Sequence, residues 1–209
     1  MNYVTFRNEM SQEEPKPRGR PPSESARRKA LAAAYDILMT EGLGRISVET
    51  VAALSGVGKP TIYRNWANAS ELAMAALMEG HPELPGEGSD SLHAGLTRQL
   101  HAIVQAFAST RGRQIGLALA AADPDSEMTR AFRNRVVLSG REAGRRLIEE
   151  AIERGELASP RDMEILLDMI YAPIFYRVLV RHGPLDREFA DGLIVHAMML
   201  LSGEESGAA

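Results

Sequence analysis

Residues 47–70, Ser47-Val-Glu-Thr-Val-Ala-Ala-Leu-Ser-Gly-Val-Gly-Lys-Pro-Thr-Ile-Tyr-Arg-Asn-Trp-Ala-Asn-Ala-Ser70, decide how the whole chain is read. They divide into a short helix, a glycine turn, a second short helix and the cap of a third. Ser47 can cap the first, because a serine hydroxyl accepts a hydrogen bond from a backbone N–H that the helix leaves unpaired. Val48, Val51, Ala52 and Leu54 then recur at helical spacing and predict an apolar face. Gly56 falls where that helix has to stop, and glycine tolerates the left-handed conformation of a sharp turn. Val57 is the apolar pin of the turn. Lys59 and Pro60 open the next helix, where proline's missing N–H costs nothing.

On a period of about 3.6 residues, Ile62 and Trp66 share the inner face of this second helix. Lys59, Thr61, Tyr63, Arg64 and Asn65 are left facing outward. A solvated surface helix commonly carries Glu and Lys pairs, but no acid occurs between Thr50 and Ser70. Two helices joined by a short turn containing glycine form a helix-turn-helix. The second is short and polar enough to enter a DNA major groove.

Val57-Gly-Lys-Pro-Thr-Ile-Tyr-Arg-Asn-Trp66, preceded by Val51-Ala-Ala-Leu-Ser-Gly56, resembles the DNA-binding signature of the TetR family of bacterial transcriptional regulators. The resemblance spans roughly residues 25 to 79; the remainder is similar to that family in length and helical character. It implies a dimer contact in the last two helices. It also implies a small molecule that binds inside the second domain and alters the separation of two reading heads. The resemblance implies a lysine beside the phosphate backbone at the position where this chain has Ala69.

Composition agrees with an all-helical chain. The 209 residues fit one large or two small domains. The hydrophobic fraction of 44% is ample for a packed core. There is no cysteine, which excludes disulfides and cysteine-ligated metals. Met1 to Lys16 has no apolar run of a signal sequence, and no apolar stretch reaches membrane-spanning length. A soluble, cytoplasmic protein, nucleoid-associated when on DNA, is expected. The net charge of −4 argues against a nucleic-acid binder, but its distribution argues for one. All three lysines (Lys16, Lys29, Lys59) lie in the first third, and from residue 81 onward acids outnumber bases. A basic end on an acidic body suits one end that meets phosphate.

Outward from the motif, residues 1–22 read as a disordered basic arm. Pro17-Arg-Gly-Arg-Pro21 resembles an AT-hook core; Arg18 and Arg20 would lie in a narrow minor groove or make only phosphate contacts. The first domain spans 23–80. Its first helix starts at Ser23 or Ser25 and runs to about Glu41, burying Ala30, Leu31, Ala34, Ile37 and Leu38. Arg27 and Arg28 sit at its start, the wrong end for its dipole, and DNA phosphate would compensate them. Asn68-Ala-Ser-Glu71 has the form of a capping box opening a fourth helix. Residues 80–90 are rich in helix breakers.

The second domain, 90–203, reads as helices over 91–109, 113–122, 126–154, 161–182 and 186–202, about nine in the whole chain. Phe132, Val136, Ala143 and Leu147 should share one side of the long 126–154 helix, with Arg133, Arg141 and Arg145 on a solvated side. In the last two helices, Ile165, Met169, Ile170, Ile174 and Val178 make one stripe, and Leu167, Tyr171, Phe175 and Leu179 another. Phe189, Leu193, Ala197 and Leu200 are followed by Ile194, Met198 and Leu201. Helices apolar over most of their circumference need cover on both sides, so 161–182 and 186–202 should pair with their copies in a homodimer. Pro173 should bend the first.

No phosphate-loop or Gly-x-Ser-x-Gly motif occurs, and the five histidines are scattered. An enzyme reading has little support, and no metal or cofactor is expected. The reading is a DNA-binding transcriptional regulator, a homodimeric repressor on an inverted repeat of double-stranded DNA, with reading helices about 34 Å apart. Thr61, Arg64 and Asn65 are the candidates for base edges and Lys59 and Tyr63 for phosphate, with Pro60 allowing close approach. Ser47 and Thr50 would donate to phosphate at the start of their helix. Candidate walls of an effector pocket are His101, Phe107, Leu117, Phe132, Met169, Tyr171 and Phe175, with Tyr176 as a polar handle; the effector itself is not legible. The rivals are a helical ligand-binding or dimerisation protein without DNA binding, and a small helical enzyme.

Overall fold

The computed structural model describes residues 24–79 and 91–202, which are helices and short connections with no strand. Arg18, Arg20, the arm 1–22, Ser23 and the 80–90 segment lie outside the described residues. The first domain holds α1 (Glu24–Thr40), α2 (Val48–Ser55), α3 (Lys59–Tyr63) and α4 (Ala69–Met78). The second holds α5 (Leu92–Ala108), α6 (Thr110–Ala121), α7 (Glu127–Arg133), α8 (Ser139–Glu153), α9 (Met163–Val180) and α10 (Arg187–Ser202). A π turn, Asn134–Leu138, makes α7 and α8 one continuous rod, so the described residues form nine.

All five expected residues of α1 are buried, packed with Val48, Val51, Val57, Ile62, Trp66, Leu72 and Leu77. Burying a side chain the size of Ile62 contributes about 1.5–3 kcal/mol. That is why so short a helix as α3 holds its place: Ile62 and Trp66 anchor it from below. Leu54 departs from expectation and is 60% exposed. The buried face of α2 centres between Val48 and Val51, and the helical turn carries Leu54 off its edge. At the start of α4, Asn68 Oδ1 accepts from the Glu71 N–H at 2.9 Å, as expected of a cap. Glu71 reaches back one residue further than a capping box requires, accepting from the Ala67 N–H at 2.9 Å.

The long rod corrects the sequence reading in two ways. Beyond Phe132 and Val136 the buried positions are Gly140, Gly144 and Ile148, while Ala143 and Leu147 are only half-buried. A π turn winds more residues into one turn than an α-helix does. It therefore moves the inner face on by one residue. Arg141 and Arg145 are not a solvated face. Arg141 bonds Glu164 at 2.6 Å and Asp168 at 3.0 Å, and Arg145 also grips Glu164, clamping α8 to α9.

The apolar stripes of α9 and α10 are shared between two surroundings. Leu166, Leu167, Ile170, Tyr171, Ile174 and Val178 are buried on α9, and Ala190, Ile194, Ala197 and Leu201 on α10. Ile165, Met169, Tyr176, Leu179 and Val180 of α9, with Val195 and Met199 of α10, are exposed. α9 runs through Pro173 to Val180, where Arg181 closes it in the left-handed conformation.

Candidate nucleic-acid interface

α2 begins on a reciprocal pair of hydroxyls. Ser47 Oγ accepts from the Thr50 N–H at 3.0 Å, and Thr50 Oγ1 accepts from the Ser47 N–H at 3.0 Å. The same two oxygens lie 3.0 Å apart, and the Thr50 hydroxyl can also donate to the Ser47 carbonyl at 3.0 Å. Thr50 thus does the work that Glu does in the common box. Gly56 then turns the chain at φ 68°, its N–H on the Ala52 carbonyl at 3.0 Å. Gly58 is extended, and Lys59 and Pro60 start α3 as the sequence requires.

The α-helix proper stops at Tyr63, three residues earlier than Trp66. Arg64 and Asn65 continue as a turn in which the Asn65 and Trp66 N–H groups both reach the Ile62 carbonyl, at 2.9 and 3.0 Å. The outward side chains are ordered by bonds among themselves. Arg64 Nη2 donates to Thr61 Oγ1 at 2.9 Å, and Asn65 Nδ2 donates to the Thr61 carbonyl at 2.8 Å. Tyr63 is 52% exposed and Pro60 is exposed. Lys59 is not free: its Nζ lies 2.9 Å from Glu49 Oε1 of α2. The bond from Lys59 holds the Glu49 carboxyl below the usual carboxylate range.

The structure therefore places Thr50, Lys59, Pro60, Thr61 and Tyr63 on the two helices of the motif, with Ser47 capping α2 and Arg64 and Asn65 in the turn after α3. Arg28 is exposed at the start of α1. Arg27 is exposed too, but lies 3.5 Å from Glu79 Oε1 with its guanidinium 5.9 Å from the Trp66 ring centre. The residue that sequence reasoning missed is Glu49. The acid-free stretch begins at Thr50, one residue too late to include the carboxylate that meets Lys59.

The structure places the candidate effector residues in different surroundings. Phe107 and Phe175 meet edge to face, ring centres 4.9 Å apart. The buried Tyr171 donates to Gln99 Oε1 at 2.5 Å, and Gln99 Nε2 donates to the Gly140 carbonyl at 2.7 Å. Burial pushes the Tyr171 phenol well above its ordinary pKa, against the pull of Gln99. Phe132 is solid core. His101 pairs across to α10, Nε2 to Asp191 Oδ1 at 2.7 Å. Leu117, Met169 and Tyr176 are exposed, Tyr176 against His182. The buried Gln99 of α5 escapes sequence reasoning because a lone glutamine in an apolar pattern gives no signal.

α6 ties the domains together. Arg111 Nη2 donates to the Leu77 and Glu79 carbonyls at the end of α4, at 2.5 and 3.1 Å. The buried Gln114 Oε1 accepts from the Leu43 N–H in the loop leading to α2, at 2.9 Å.

Comparison with known proteins agrees with this geometry. The profile described as "Bacterial regulatory proteins, tetR family" matches residues 30–76, and "Tetracyclin repressor-like, C-terminal domain" matches 87–197. A Bacillus subtilis uncharacterized HTH-type transcriptional regulator, YdeS, is 29% identical over 181 residues, 86% of this chain and 91% of its own. A Mycobacteroides abscessus protein described as DNA-binding transcriptional repressor TetR is 30% identical over 178 residues, 82% of this chain and 90% of its own. The crystal structure of the TetR family transcription regulator SCO0332 superposes with a TM-score of 0.61 at 26% identity, covering 85% of this chain and 98% of that one. With a helix-turn-helix presented as described and both halves matched, the chain belongs to the TetR family and is a DNA-binding transcriptional regulator.

Proposed function

We propose that this regulator is a cytoplasmic homodimeric repressor. It grips an inverted-repeat operator with two copies of α3 and releases it when a small molecule enters the second domain. The observation that carries the reading is α3 and the turn after it: Ile62 and Trp66 are spent in the core, while Tyr63 and Arg64 are exposed and Thr61 and Asn65 half-buried. Thr61, Arg64 and Asn65 meet base edges, and Tyr63 meets phosphate beside Pro60. Lys59 reaches phosphate once it leaves Glu49. Ser47 and Thr50 approach the backbone at the start of α2, Arg28 follows from α1, and Arg27 joins if Glu79 releases it. Arg18 and Arg20 extend the grip along the minor groove.

The exposed apolar side chains of α9 and α10 support pairing with a second copy. Met169, one of them, lines an open depression of about 610 Å³ with Pro173, Phe189, Leu193 and His196, and a four-helix interface would cover it. For the effector, Phe107, Phe175 and Tyr171 with Gln99 form the best-supported site, between α5, α8 and α9, with Phe132 in the neighbouring core. His101, Leu117, Met169 and Tyr176 have other surroundings and are set aside. A ligand there reshapes α5 and α9, and α6 packs on both. Through Arg111 and Gln114 the change would reach α4 and the loop before α2, a shift between DNA-competent and incompetent spacings.

Tyr63→Ala tests the reading head. In a mobility-shift assay on the chain's own upstream region, it should weaken binding by about tenfold, the effect of roughly 1.4 kcal/mol, with an unchanged melting curve. Normal binding by this variant would place the recognition surface elsewhere.

A further inference from the structure

The Glu49–Lys59 pair joins α2 to α3 at the mouth of the reading head. Both side chains are half or more exposed, at 60% and 52%. An ion pair so exposed contributes little to folding, so stability does not explain it. Its position does: Glu49 sits in the first turn of α2 and Lys59 at the first residue of α3, beside the residues proposed to meet DNA. We propose that Glu49 is a specificity-determining residue that withholds Lys59 from non-operator DNA. The inference rests on α3 being the reading helix.

Affinity for arbitrary sequence comes from cations that displace the counterions of phosphate. A lysine 2.9 Å from a carboxylate presents no net charge to that polyanion. For Lys59 to reach phosphate, the pair must open, and a bare carboxylate is then left beside the backbone. On random sequence nothing offsets that penalty, so the pair stays closed. On the operator, base contacts from Thr61, Arg64 and Asn65 draw the start of α3 into the groove and offset it. Lys59 then adds its phosphate contact only at the correct site. Glu49 thereby lowers non-operator affinity more than operator affinity.

The test is a double-mutant cycle of Glu49→Gln and Lys59→Met in the full chain. Binding is measured by fluorescence anisotropy on a random-sequence duplex and on an operator selected from a random pool, across a salt series. Glu49→Gln should tighten random-sequence binding by on the order of tenfold at about 0.1 M salt. It should steepen the salt slope by roughly 0.9 per subunit. Lys59→Met leaves Glu49 unpaired and should weaken wild-type random-sequence binding far less than it weakens that of the Glu49→Gln variant, while weakening operator binding and abolishing the gain in the Glu49→Gln background. Melting curves confirm that all three variants fold. The proposal is overturned if Glu49→Gln leaves random-sequence affinity and salt slope unaltered. It is equally overturned if Lys59→Met weakens random-sequence binding of the wild type as much as that of the Glu49→Gln variant. If Tyr63→Ala binds the operator normally, the reading-head assignment fails first, and that failure is distinct from either of these.

Discussion

Adding one methyl group at Gly144 should unlock the centre of the second domain. A Cβ built there lies 1.8 Å from the Tyr171 hydroxyl oxygen and 2.7 Å from its ring carbon Cζ, so Tyr171 cannot stay where it is. Forcing a side chain from a packed core costs about 1–3 kcal/mol. The move also strips Gln99 of the hydroxyl that donates to it at 2.5 Å, and a buried polar group left without its partner costs about 1–3 kcal/mol more. Glycine to alanine within a helix returns about 0.5–1 kcal/mol. The net loss is about 1–5.5 kcal/mol by these magnitudes. At about 2–4 °C per kcal/mol for a chain of this size, Gly144→Ala should melt about 2–20 °C lower. The assay is thermal unfolding by circular dichroism at fixed protein concentration, since a dimer's Tm depends on it. In a Tyr171→Ala background the same glycine substitution should cost almost nothing, because the obstructing side chain is gone. A Gly144→Ala melt within about 2 °C of wild type, below the shift expected for one kcal/mol, would refute the packing of Tyr171 across α8.

The remaining predictions concern the interface, the arm, the coupling and the clamp. Met199→Asp places a charge on the exposed apolar face of α10 and should shift the protein toward monomer in light scattering, with its helical spectrum intact. Deleting residues 1–22 should lower DNA affinity and flatten its salt dependence, as fewer counterions are released; an unchanged slope removes the arm from the interface. Gln114→Ala takes away the acceptor of the Leu43 N–H and should speed hydrogen exchange at that amide while weakening the effector's control of DNA release. Hydrogen bonds from Arg141 and Arg145 hold the Glu164 carboxyl below the usual carboxylate range. Its contribution is therefore complete above the unfolded value and lost as pH falls through the depressed one; Glu164→Gln should flatten the acid limb of the stability curve.

What could be read in the sequence was what is local. Ser47, Gly56, Pro60, Ile62 and Trp66 each act within a few residues of themselves, and the motif stands where their spacing put it. The α1 stripe is equally local. The misses are contacts that spacing along one helix cannot carry. Glu49 meets Lys59 across a turn. Glu164 and Asp168 reach back from α9 to arginines that read as solvated. The π turn shifts the buried face from Ala143 and Leu147 to Gly144 and Ile148, because the pattern was projected on a uniform helix. In the candidate effector region the aromatic residues were visible, but not which of them meet. Phe107 finds Phe175, while Met169 and Tyr176 lie outside. That division is made by packing between helices far apart in the chain.

The central claim is that two copies of α3 read one operator. Selecting sites from a random DNA pool with the full-length protein, then mapping protection on the selected duplex, tests it most directly. The account predicts an inverted repeat whose half-site centres lie about one helical turn, or a whole multiple of it, apart, with two protein chains per duplex and protection lost in Tyr63→Ala. Selection of an asymmetric site bound by a single chain, or protection that survives Tyr63→Ala, would contradict it.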